Sequence, residues 1–296
     1  MSVSVIIPTL EAGKQIVPLL KSIESQTRKP DEVWVVDSSS ADGTAELARQ
    51  CGAKVLGIAR EQFDHGGTRD LAFRHTTGDF VLFLTQDVLL DDERYIECLL
   101  APFDDMRVAA VSGRQVARED ARLYVKAVQE YRYPEWSRIW SAEERQTLGI
   151  LAFHLSDVCS AYRRTAYEEV GGFQHGLLTN EDMLIAAALL KAGYRLGYCA
   201  EAKVRHSHNL TLRQEYRRNW LVGQFLQRYN EELGLAGELG EGMRMVREIA
   251  VKLLRKGHLL ECAAFGADCA ARFLGNRAGR RLERKREAIN SADQGL

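Results

Sequence analysis

The feature that most constrains the fold is a strand–helix–strand rhythm in the N-terminal part of the chain. The run at residues 3–7, apolar except for Ser4, and the continuous apolar runs at 33–36 and Phe80–Leu84 are typical of strands buried on both faces. Residues 13–25, between the first two runs, repeat apolar side chains at helical spacing. Repeated units of this kind predict a parallel α/β sheet with right-handed crossovers.

The remainder of the chain is less regular in its middle and helical towards its end. The expected elements are strands at residues 108–112, 157–162, 194–198 and 203–206, a partly helical aromatic segment at 121–140, and a helix at Glu181–Lys191. Apolar residues at three- and four-residue steps predict helices from Leu212 onward. Four glycines within residues 234–242 predict a linker inside this helical part.

Composition and charge exclude several classes of protein. With 46% hydrophobic and 27% charged residues the chain is not disordered, and 40 Lys or Arg against 41 Asp or Glu argue against nucleic-acid binding. The six cysteines contain no C-x-x-C pair, which indicates thiols in a reducing compartment. No apolar run reaches the ~20 residues that span a bilayer, and the N-terminus lacks the basic region of a signal peptide. We therefore expect a cytoplasmic protein with no nucleic-acid partner, and its oligomeric state is left open.

Polar residues follow three of the predicted strands. Thr9 and Glu11 follow the first strand, Asp37 follows the second, and Asp87 follows the fourth. Ligands of open α/β sheets bind beyond the carboxyl ends of the strands. A single acid at a strand end more often caps a turn, but three acids at strand ends favour a ligand site.

Two nucleotide-binding motifs are missing from the sequence. Neither G-x-G-x-x-G after the first strand nor G-x-x-x-x-G-K-[ST] occurs, which counts against a dinucleotide oxidoreductase and a P-loop NTPase. The phosphates of a bound nucleotide would then be neutralised most simply by a divalent metal held on carboxylate oxygen.

The ordered set of motifs resembles the family-two inverting glycosyltransferases with the GT-A fold. V-x-V-I-I-P-T at residues 3–9 and V-x-V-V-D-S-S-S-x-D-G-T at 33–44 carry the resemblance. F-D-H-G-G-T-R-D at 63–70 and T-Q-D at 85–87 are similar to the bacterial rhamnosyltransferase branch. The resemblance covers residues 3–210 or so and implies a GT-A-type, mostly parallel sheet flanked by helices, followed by a helical C-terminal extension.

The resemblance also implies a donor pocket. Asp37 would accept a hydrogen bond from a pyrimidine ring nitrogen, which suits uracil or thymine. Arg69 would lie near the diphosphate, and the backbone of Gly66 and Gly67 would approach it closely. The full set of expected donor contacts is Pro8, Thr9, Glu11, Asp37, His65, Gly66, Gly67, Arg69, Gln86 and Asp87.

A metal site is the second implication of the resemblance. Asp87 corresponds to the last acid of the family's D-x-D motif, and His206 falls where the family often supplies a histidine to the metal or the phosphates. The first position of that motif is Thr85, so one carboxylate is missing. We expect Mg²⁺ or Mn²⁺ at Asp87 and His206, with weakened affinity.

The expected catalytic base is Asp182, supported by Glu181. Inverting transfer is a single in-line displacement, so the acceptor hydroxyl must lose a proton as it attacks, and a carboxylate is a natural general base. Both acids begin a predicted helix, where acids are also common as caps. Trp136, Trp140 and Asp157 are weaker candidates for the acceptor side, since aromatic stretches more often belong to a core.

These assignments divide the chain into three parts. Residues 1–233 form the expected catalytic domain, with a nucleotide-sugar half at about 1–115 and an acceptor half at about 116–233. Residues 234–242 are the linker, and 243–296 are a basic amphipathic helical extension. Within it, residues 244–287 hold twelve Lys or Arg and five Asp or Glu, a net charge of +7. This segment either packs on the catalytic domain or a partner subunit, or lies on an anionic membrane.

The resemblance thus implies an inverting glycosyltransferase that moves a deoxyhexose, and its rhamnosyltransferase branch implies L-rhamnose from dTDP-L-rhamnose. The acceptor would be a surface polysaccharide or a glycolipid, including a polyprenyl-linked glycan. Three alternatives stay open: a UDP-hexose donor, a nucleotide-sugar-binding subunit without turnover, and a nucleotidyltransferase. The last would normally carry a glycine-rich basic loop after the first strand, which residues 8–13 do not form.

Overall fold

The computed structural model describes residues 1–234 and 240–293. Its strands are β1 (Val3–Thr9), β2 (Glu32–Asp37), β3 (Lys54–Gly57), β4 (Phe80–Leu84), β5 (Leu89–Leu90), β6 (Val108–Val116), β7 (Arg138–Trp140), β8 (Cys159–Arg163) and β9 (Arg195–Arg205). Its α-helices are α1 (Ile16–Glu24), α2 (Thr44–Gln50), α3 (His65–Phe73), α4 (Tyr95–Leu100), α5 (Leu123–Arg132), α6 (Arg145–Leu148), α7 (Arg164–Glu169), α8 (Glu181–Lys191), α9 (Leu212–Arg228), α10 (Gly240–Arg255) and α11 (Leu259–Asp293).

The chain divides into two compact units. The first, unit 1, comprises Met1–Ala117, Tyr133–Leu177 and Glu181–His206. The second, unit 2, comprises Arg118–Arg132, Leu178–Asn180 and Ser207–Leu296. Of the predicted linker at 234–242, residues 235–239 lie outside the described residues, and helix α10 already begins at Gly240. The predicted division at residues 233 and 243 stays a prediction.

A mixed sheet forms the centre of unit 1, with the strand order β3-β2-β1-β4-β8-β6-β9-β5 and β7 paired to β9. Strand β1 is parallel to both β2 and β4, and β2 is parallel to β3. These pairings confirm the parallel α/β organisation predicted from the N-terminal strands. Strand β8 is antiparallel to β4 and to β6, which makes the sheet as a whole mixed.

The core of unit 1 follows from the apolar runs seen in the sequence. Every residue of β4 is buried, and β1 is buried at six of its seven positions. Helix α1 contributes its apolar stripe, in which Ile16, Leu19, Leu20 and Ile23 are buried. Fully burying a side chain of this size contributes about 1.5–3 kcal/mol, so these elements fix the sheet and its covering helices.

Strand β9 corrects the prediction of two short strands at residues 194–198 and 203–206. The two segments form a single strand whose parallel pairing with β6 shifts register, because Gly113 lies opposite Cys199 while Arg114 lies opposite Lys203. The backbone N–H of Ala200, inside the irregular stretch, donates to the hydroxyl of Ser137 at 2.8 Å. A bulge of this kind interrupts the pattern of the strand, which is why the sequence indicated two.

Unit 2 is largely helical, as the sequence predicts for its C-terminal part. Helices α5, α10 and α11 share an apolar cluster that includes Tyr124, Ile249, Leu253 and Phe265. Helix α11 also runs along α9, where a side-chain carbon on Gly279 would meet the carbonyl oxygen of Trp220 at 2.0 Å. These contacts give the basic extension a fixed inner face.

Buried acids of unit 2 are paired with arginines. Arg272 contacts Glu215 at 2.7 Å and Asp268 at 2.6 Å, and Arg228 contacts Glu283 at 2.6 Å. Because an unpaired buried charge is costly, these pairs fix which side of α11 faces inward. Among the helices that the structure describes, none has the length and apolar character that crossing a bilayer requires.

Candidate active site

The carboxyl ends of β1 and β2 bring Thr9 and Asp37 together. The hydroxyl of Thr9 donates to Asp37 Oδ1 at 3.2 Å, and the backbone N–H of Ser40 donates to Asp37 Oδ2 at 2.9 Å. Both side chains are buried. The chain itself therefore orients the Asp37 carboxylate at this edge of the sheet, as expected for a group that must meet a ligand in one geometry.

Gln86 links the T-Q-D segment to the loop after β1. Its Oε1 accepts from the backbone N–H of Leu10 at 2.7 Å, and its Nε2 donates to the carbonyl of Leu10 at 3.1 Å and to Gln15 Oε1 at 3.2 Å. This side chain was predicted to contact the donor, and in the structure its amide binds the protein backbone. These bonds tie the T-Q-D segment to the chain that follows β1.

Glu11 joins the loops after β1 and β2. Its N–H donates to the hydroxyl of Ser40 at 2.8 Å, and its carboxylate accepts from the N–H of Ala41 at 3.1 Å. The backbone of Glu11 has a φ of 50°, and that of Ser39 a φ of 57°, the left-handed region that non-glycine residues rarely adopt. Strained loops held by such bonds are frequent at functional sites.

Asp87 and His206 form the candidate cation-binding pair. Asp87 Oδ2 lies 3.4 Å from His206 Nε2, and both side chains are largely buried. The hydroxyl of Thr85, two residues before Asp87, is buried without a hydrogen-bond partner. His208, which is exposed, brings a third ligand atom to this group, and the ligand atoms of the three residues lie within 4.8 Å of one another. A carboxylate and imidazoles are donors that suit Mn²⁺, and the carboxylate suits Mg²⁺. The residues present thus fit the metal that the resemblance implies.

Gln115, which the sequence did not indicate, orients His206. Gln115 Oε1 lies 2.9 Å from His206 Nδ1, and its Nε2 donates to the hydroxyls of Tyr133 at 2.7 Å and Ser156 at 2.8 Å. With the amide nitrogen facing the two hydroxyls, the amide oxygen is left to accept from Nδ1–H, and a ring in this tautomer has its Nε2 lone pair on the Asp87 side. Such a partner fixes the tautomer of a metal-binding histidine.

A buried ion pair connects α3 with the start of α8. Arg69 Nη1 donates to Glu181 Oε1 at 2.9 Å, with the two side chains only 6% and 8% exposed, and the same nitrogen donates to the carbonyl of His65 at 2.9 Å. Arg69 was predicted to lie near the diphosphate, and Glu181 to support the base. In the structure each is the partner of the other, and their contacts with substrate stay predictions.

Asp182 stands next to this pair in an acidic environment. Burial raises its pKa well above the ordinary value, and the charges of Glu181 and Asp157 raise it further, while Arg69 and the N–H of Met183 lower it. The pKa of Asp157 is also raised by burial. A carboxyl whose pKa is raised is suited to take up a proton near neutral pH, which is the property expected of a general base.

The glycines of the 63–70 motif have packing roles in the structure. A side-chain carbon on Gly66 would meet the carbonyl oxygen of Gln174 at 2.5 Å. The N–H of Gly67 donates to Asp64, the N-cap of α3, at 3.0 Å, and Asp64 also accepts from the N–H of Gly176 at 2.9 Å. This explains the two glycines by helix capping and close packing, and their approach to a diphosphate stays a prediction.

Asp70, at the end of the same motif, holds the loop that precedes α8. Its carboxylate accepts from the hydroxyl of Tyr167, lies 2.7 Å from His175 Nε2, and accepts from the N–H of Phe173 at 3.2 Å. Sequence reasoning missed this role. The sequence did contain a signal for the neighbouring cap of α3, because Asp64 in the D-x-x-G pattern at residues 64–67 is an acid that precedes a helix.

The three acceptor candidates differ in exposure. Trp136 is 60% exposed, whereas Trp140 is 5% exposed and its indole N–H donates to the carbonyl of Ala152 at 2.8 Å. Asp157 is buried, and its Oδ1 accepts from the hydroxyls of Ser160 and Tyr162. Trp136 is thus accessible to a ligand, while Trp140 is part of the packed interior. Asp157 raises the pKa of the neighbouring Asp182.

Comparisons with known proteins agree with this geometry. Residues 4–171 match the model of Glycosyl transferase family 2. The chain is 38% identical to the O-antigen chain rhamnosyltransferase RfbN of Salmonella typhimurium, over 95% of this chain and 90% of that protein. It is 36% identical to the O-antigen chain rhamnosyltransferase WbaN of Salmonella anatum, over 94% of this chain and 89% of that protein.

The solved structures similar to this chain have the same architecture. The mannosyltransferase PcManGT from Pyrobaculum calidifontis, in complex with GDP-Man and Mn²⁺, matches with a TM-score of 0.60 and 20% identity over 92% of this chain and 86% of that one. The sheet and its helices therefore define a GT-A fold. The chain belongs to glycosyl transferase family 2. It is a glycosyltransferase, as the ordered motifs predicted.

Replacing Gln115 by leucine tests its effect on His206. We expect the Gln115→Leu variant to bind Mn²⁺ about 10- to 100-fold more weakly, because the partner that orients the imidazole is lost. Electron paramagnetic resonance of free Mn²⁺ in a titration measures this affinity. Gln115→Glu, which keeps an acceptor oxygen, should bind Mn²⁺ at least as well as the wild type. An unchanged affinity in a folded Gln115→Leu protein contradicts the assignment.

Neutralising Asp157 tests the electrostatic environment of Asp182. Removing its charge removes a repulsion that raises the pKa of Asp182, so that pKa falls and the carboxylate persists to lower pH. We expect the acidic limb of the pH–rate profile of Asp157→Asn to move to lower pH, since asparagine still accepts from Ser160 and Tyr162. Glu46→Gln, which removes one charge from an exposed helix position, should leave the limb in place. A limb that does not move in Asp157→Asn argues against Asp182 as the base.

Proposed function

We propose that this glycosyltransferase transfers L-rhamnose from dTDP-L-rhamnose to a surface-polysaccharide or glycolipid acceptor, with inversion at the anomeric carbon. Two relatives that span most of the chain are named O-antigen chain rhamnosyltransferases. The observation that carries the catalytic part is Asp182, a carboxyl of raised pKa at the start of α8, beside the Arg69–Glu181 ion pair.

The reaction is a single displacement. The acceptor oxygen forms a bond to the anomeric carbon while the bond from that carbon to the diphosphate oxygen breaks. The acceptor proton passes to the Asp182 carboxylate as the attack proceeds. Glu181, held by Arg69, keeps the first turn of α8 in place, so Asp182 needs little reorganisation to reach the acceptor.

The donor would lie along the edge formed by Asp37, Thr9 and the T-Q-D segment. The oriented carboxylate of Asp37 is suited to accept a hydrogen bond from a thymine or uracil ring N–H. Asp87 and His206 would hold Mg²⁺ or Mn²⁺ at the diphosphate end. Such a cation, when bound, stabilises the negative charge of the leaving nucleoside diphosphate.

The acceptor would reach this enzyme at a membrane. A polyprenyl-linked glycan or another glycolipid is confined to a lipid surface, so the enzyme would bind the cytoplasmic leaflet without spanning it. The cationic segment 244–287 supports this part of the proposal, because each Lys or Arg near an anionic leaflet contributes ~1 kcal/mol.

A thermal-shift panel tests the donor. We expect dTDP-L-rhamnose with Mn²⁺ or Mg²⁺ to raise the unfolding temperature most, since a ligand at a hundred times its Kd adds ~2.7 kcal/mol of stability. UDP-glucose and GDP-mannose are the comparison donors, the latter because the similar mannosyltransferase was solved with GDP-Man. Stabilisation by UDP-glucose alone would favour the UDP-hexose alternative, and stabilisation by GDP-mannose alone would contradict the role of Asp37.

The Asp182→Asn variant tests the base. We expect turnover to fall by ~10²–10⁴-fold, while the thermal shift caused by the donor is kept, because the change removes proton transfer and not donor binding. Transfer of radiolabelled rhamnose to the acceptor measures the turnover. Near-normal transfer by the variant would exclude Asp182 as base. A wild-type protein that binds donor but transfers nothing to any acceptor would favour the binding-subunit alternative.

A further inference from the structure

We propose that one exposed face of α11, from Leu259 to Leu274, is the surface through which this protein docks on an anionic lipid membrane. This inference rests on the proposed function, which places the acceptor in a membrane, and it identifies the residues that make the contact. The contact is interfacial, with apolar side chains entering the lipid and cationic side chains binding its headgroups.

The exposed positions of this face follow the helical repeat. Within residues 259–274, all of which the structure describes, the exposed side chains are Leu259, Leu260, Ala263, Gly266, Ala267, Ala270, Phe273 and Leu274. Leu260 is 87% exposed and Phe273 is 60% exposed. None of these exposed positions carries a charge, over a length of about 24 Å at 1.5 Å per residue. A continuous apolar stripe of this length in contact with water marks an interaction site.

The charged residues of the same segment lie elsewhere on the helix. Asp268 is buried and pairs with Arg272, which also contacts Glu215, and Glu261 pairs with Arg122. These bonds belong to unit 2 and set the rotation of α11 about its own axis. The apolar stripe therefore faces outward because the opposite side is occupied by packing and ion pairs.

Cationic side chains extend the stripe at both ends. Arg277, Arg281 and Arg284 continue the same face at three- and four-residue steps, and all three are exposed. At the other end, α10 ends at exposed Arg255, and exposed Lys256 follows it before α11 begins. An apolar stripe flanked by bases is the composition that binds an anionic leaflet, because headgroup attraction and apolar insertion act together.

The cationic side chains at both ends of the stripe favour a lipid surface, and not a second copy of the chain, as the partner of this face. Two copies that paired these stripes side by side would bring cationic ends together, whether the helices ran parallel or antiparallel. An antiparallel pairing would bring Arg255 and Lys256 near Arg281 and Arg284 of the other copy. A parallel pairing would bring each of these clusters near the same cluster of the other copy. Like charges across an interface oppose such a pairing, whereas phosphate headgroups neutralise every one of them.

Vesicle flotation with full-length protein tests the inference. Wild-type protein is expected to float with vesicles of phosphatidylglycerol and phosphatidylcholine and to stay behind with phosphatidylcholine alone. Leu260→Glu combined with Phe273→Glu should weaken binding by at least about tenfold, from the usual effect of two apolar side chains. Met106→Glu together with Leu212→Glu, at positions 69% and 50% exposed outside the stripe, adds the same charge and should leave binding unchanged.

A second measurement separates the outcomes. The stripe variant, Leu260→Glu with Phe273→Glu, should transfer rhamnose to a water-soluble acceptor as fast as the wild type. If neither protein transfers rhamnose, the result counts against the proposed function only. Equal vesicle binding by the stripe variant and the wild type overturns the inference. A wild-type dimer in light scattering that Leu260→Glu with Phe273→Glu converts to a monomer also overturns it, in favour of a second copy.

Discussion

The buried ion pair between Arg69 and Glu181 is the contact on which the candidate site depends. It joins α3, which carries the 63–70 motif, to the first residue of α8, which is followed by Asp182. Both side chains are nearly inaccessible to water, so loss of either partner would leave an uncompensated buried charge, which costs ~3–5 kcal/mol. The pair therefore fixes the start of α8, and through the backbone it fixes the position of Asp182, the proposed base.

The same arginine balances the charges around the reaction. Asp157, Glu181 and Asp182 act on one another electrostatically, and Arg69 lowers the pKa of two of them. With one cation among three acids, the carboxyls cannot all ionise as easily as in water, and Asp182 carries a raised pKa. Of the three acids, Glu181 is the one that contacts the positive charge of Arg69 in the ion pair. Asp182 keeps the raised pKa, and this is the residue that we propose as the base.

The sequence predicted the parts of this arrangement that depend on repeating patterns. The buried strands, the acids at their ends and the helix that begins at Glu181 follow from periodicity and from the rule that strand ends meet at one edge. Side-chain partners across the fold could not be predicted in this way. Gln115 lies inside β6, where the sequence shows only a single polar residue in a strand. Its contact with His206 exists only in the folded chain.

The bulge of β9 marks a second limit of sequence reasoning. Residues 200–202 break the pattern of an otherwise continuous strand, and the break is visible in the sequence while its cause, the register shift against β6, is not. The chain resumes pairing at Lys203 and Val204, and the strand then ends at Arg205. His206 consequently follows directly on the resumed pairing, with its N–H bonded to the carbonyl of Val116.

Thr85 changes the charge of the candidate cation site relative to the D-x-D motif of the family. Where the related motif carries two acids, this chain has a buried hydroxyl followed by the single carboxylate of Asp87. The neighbour of that carboxylate is the imidazole of His206, whose Nδ1 lies 2.9 Å from Gln115 Oε1. This site therefore holds one carboxylate fewer than a D-x-D pair would, and under the proposed function the repulsion between the site and a donor diphosphate is smaller. Asp157 and Glu181 lie beside Asp182 and raise its pKa, and under the proposed function Asp182 is the carboxylate that takes the acceptor proton.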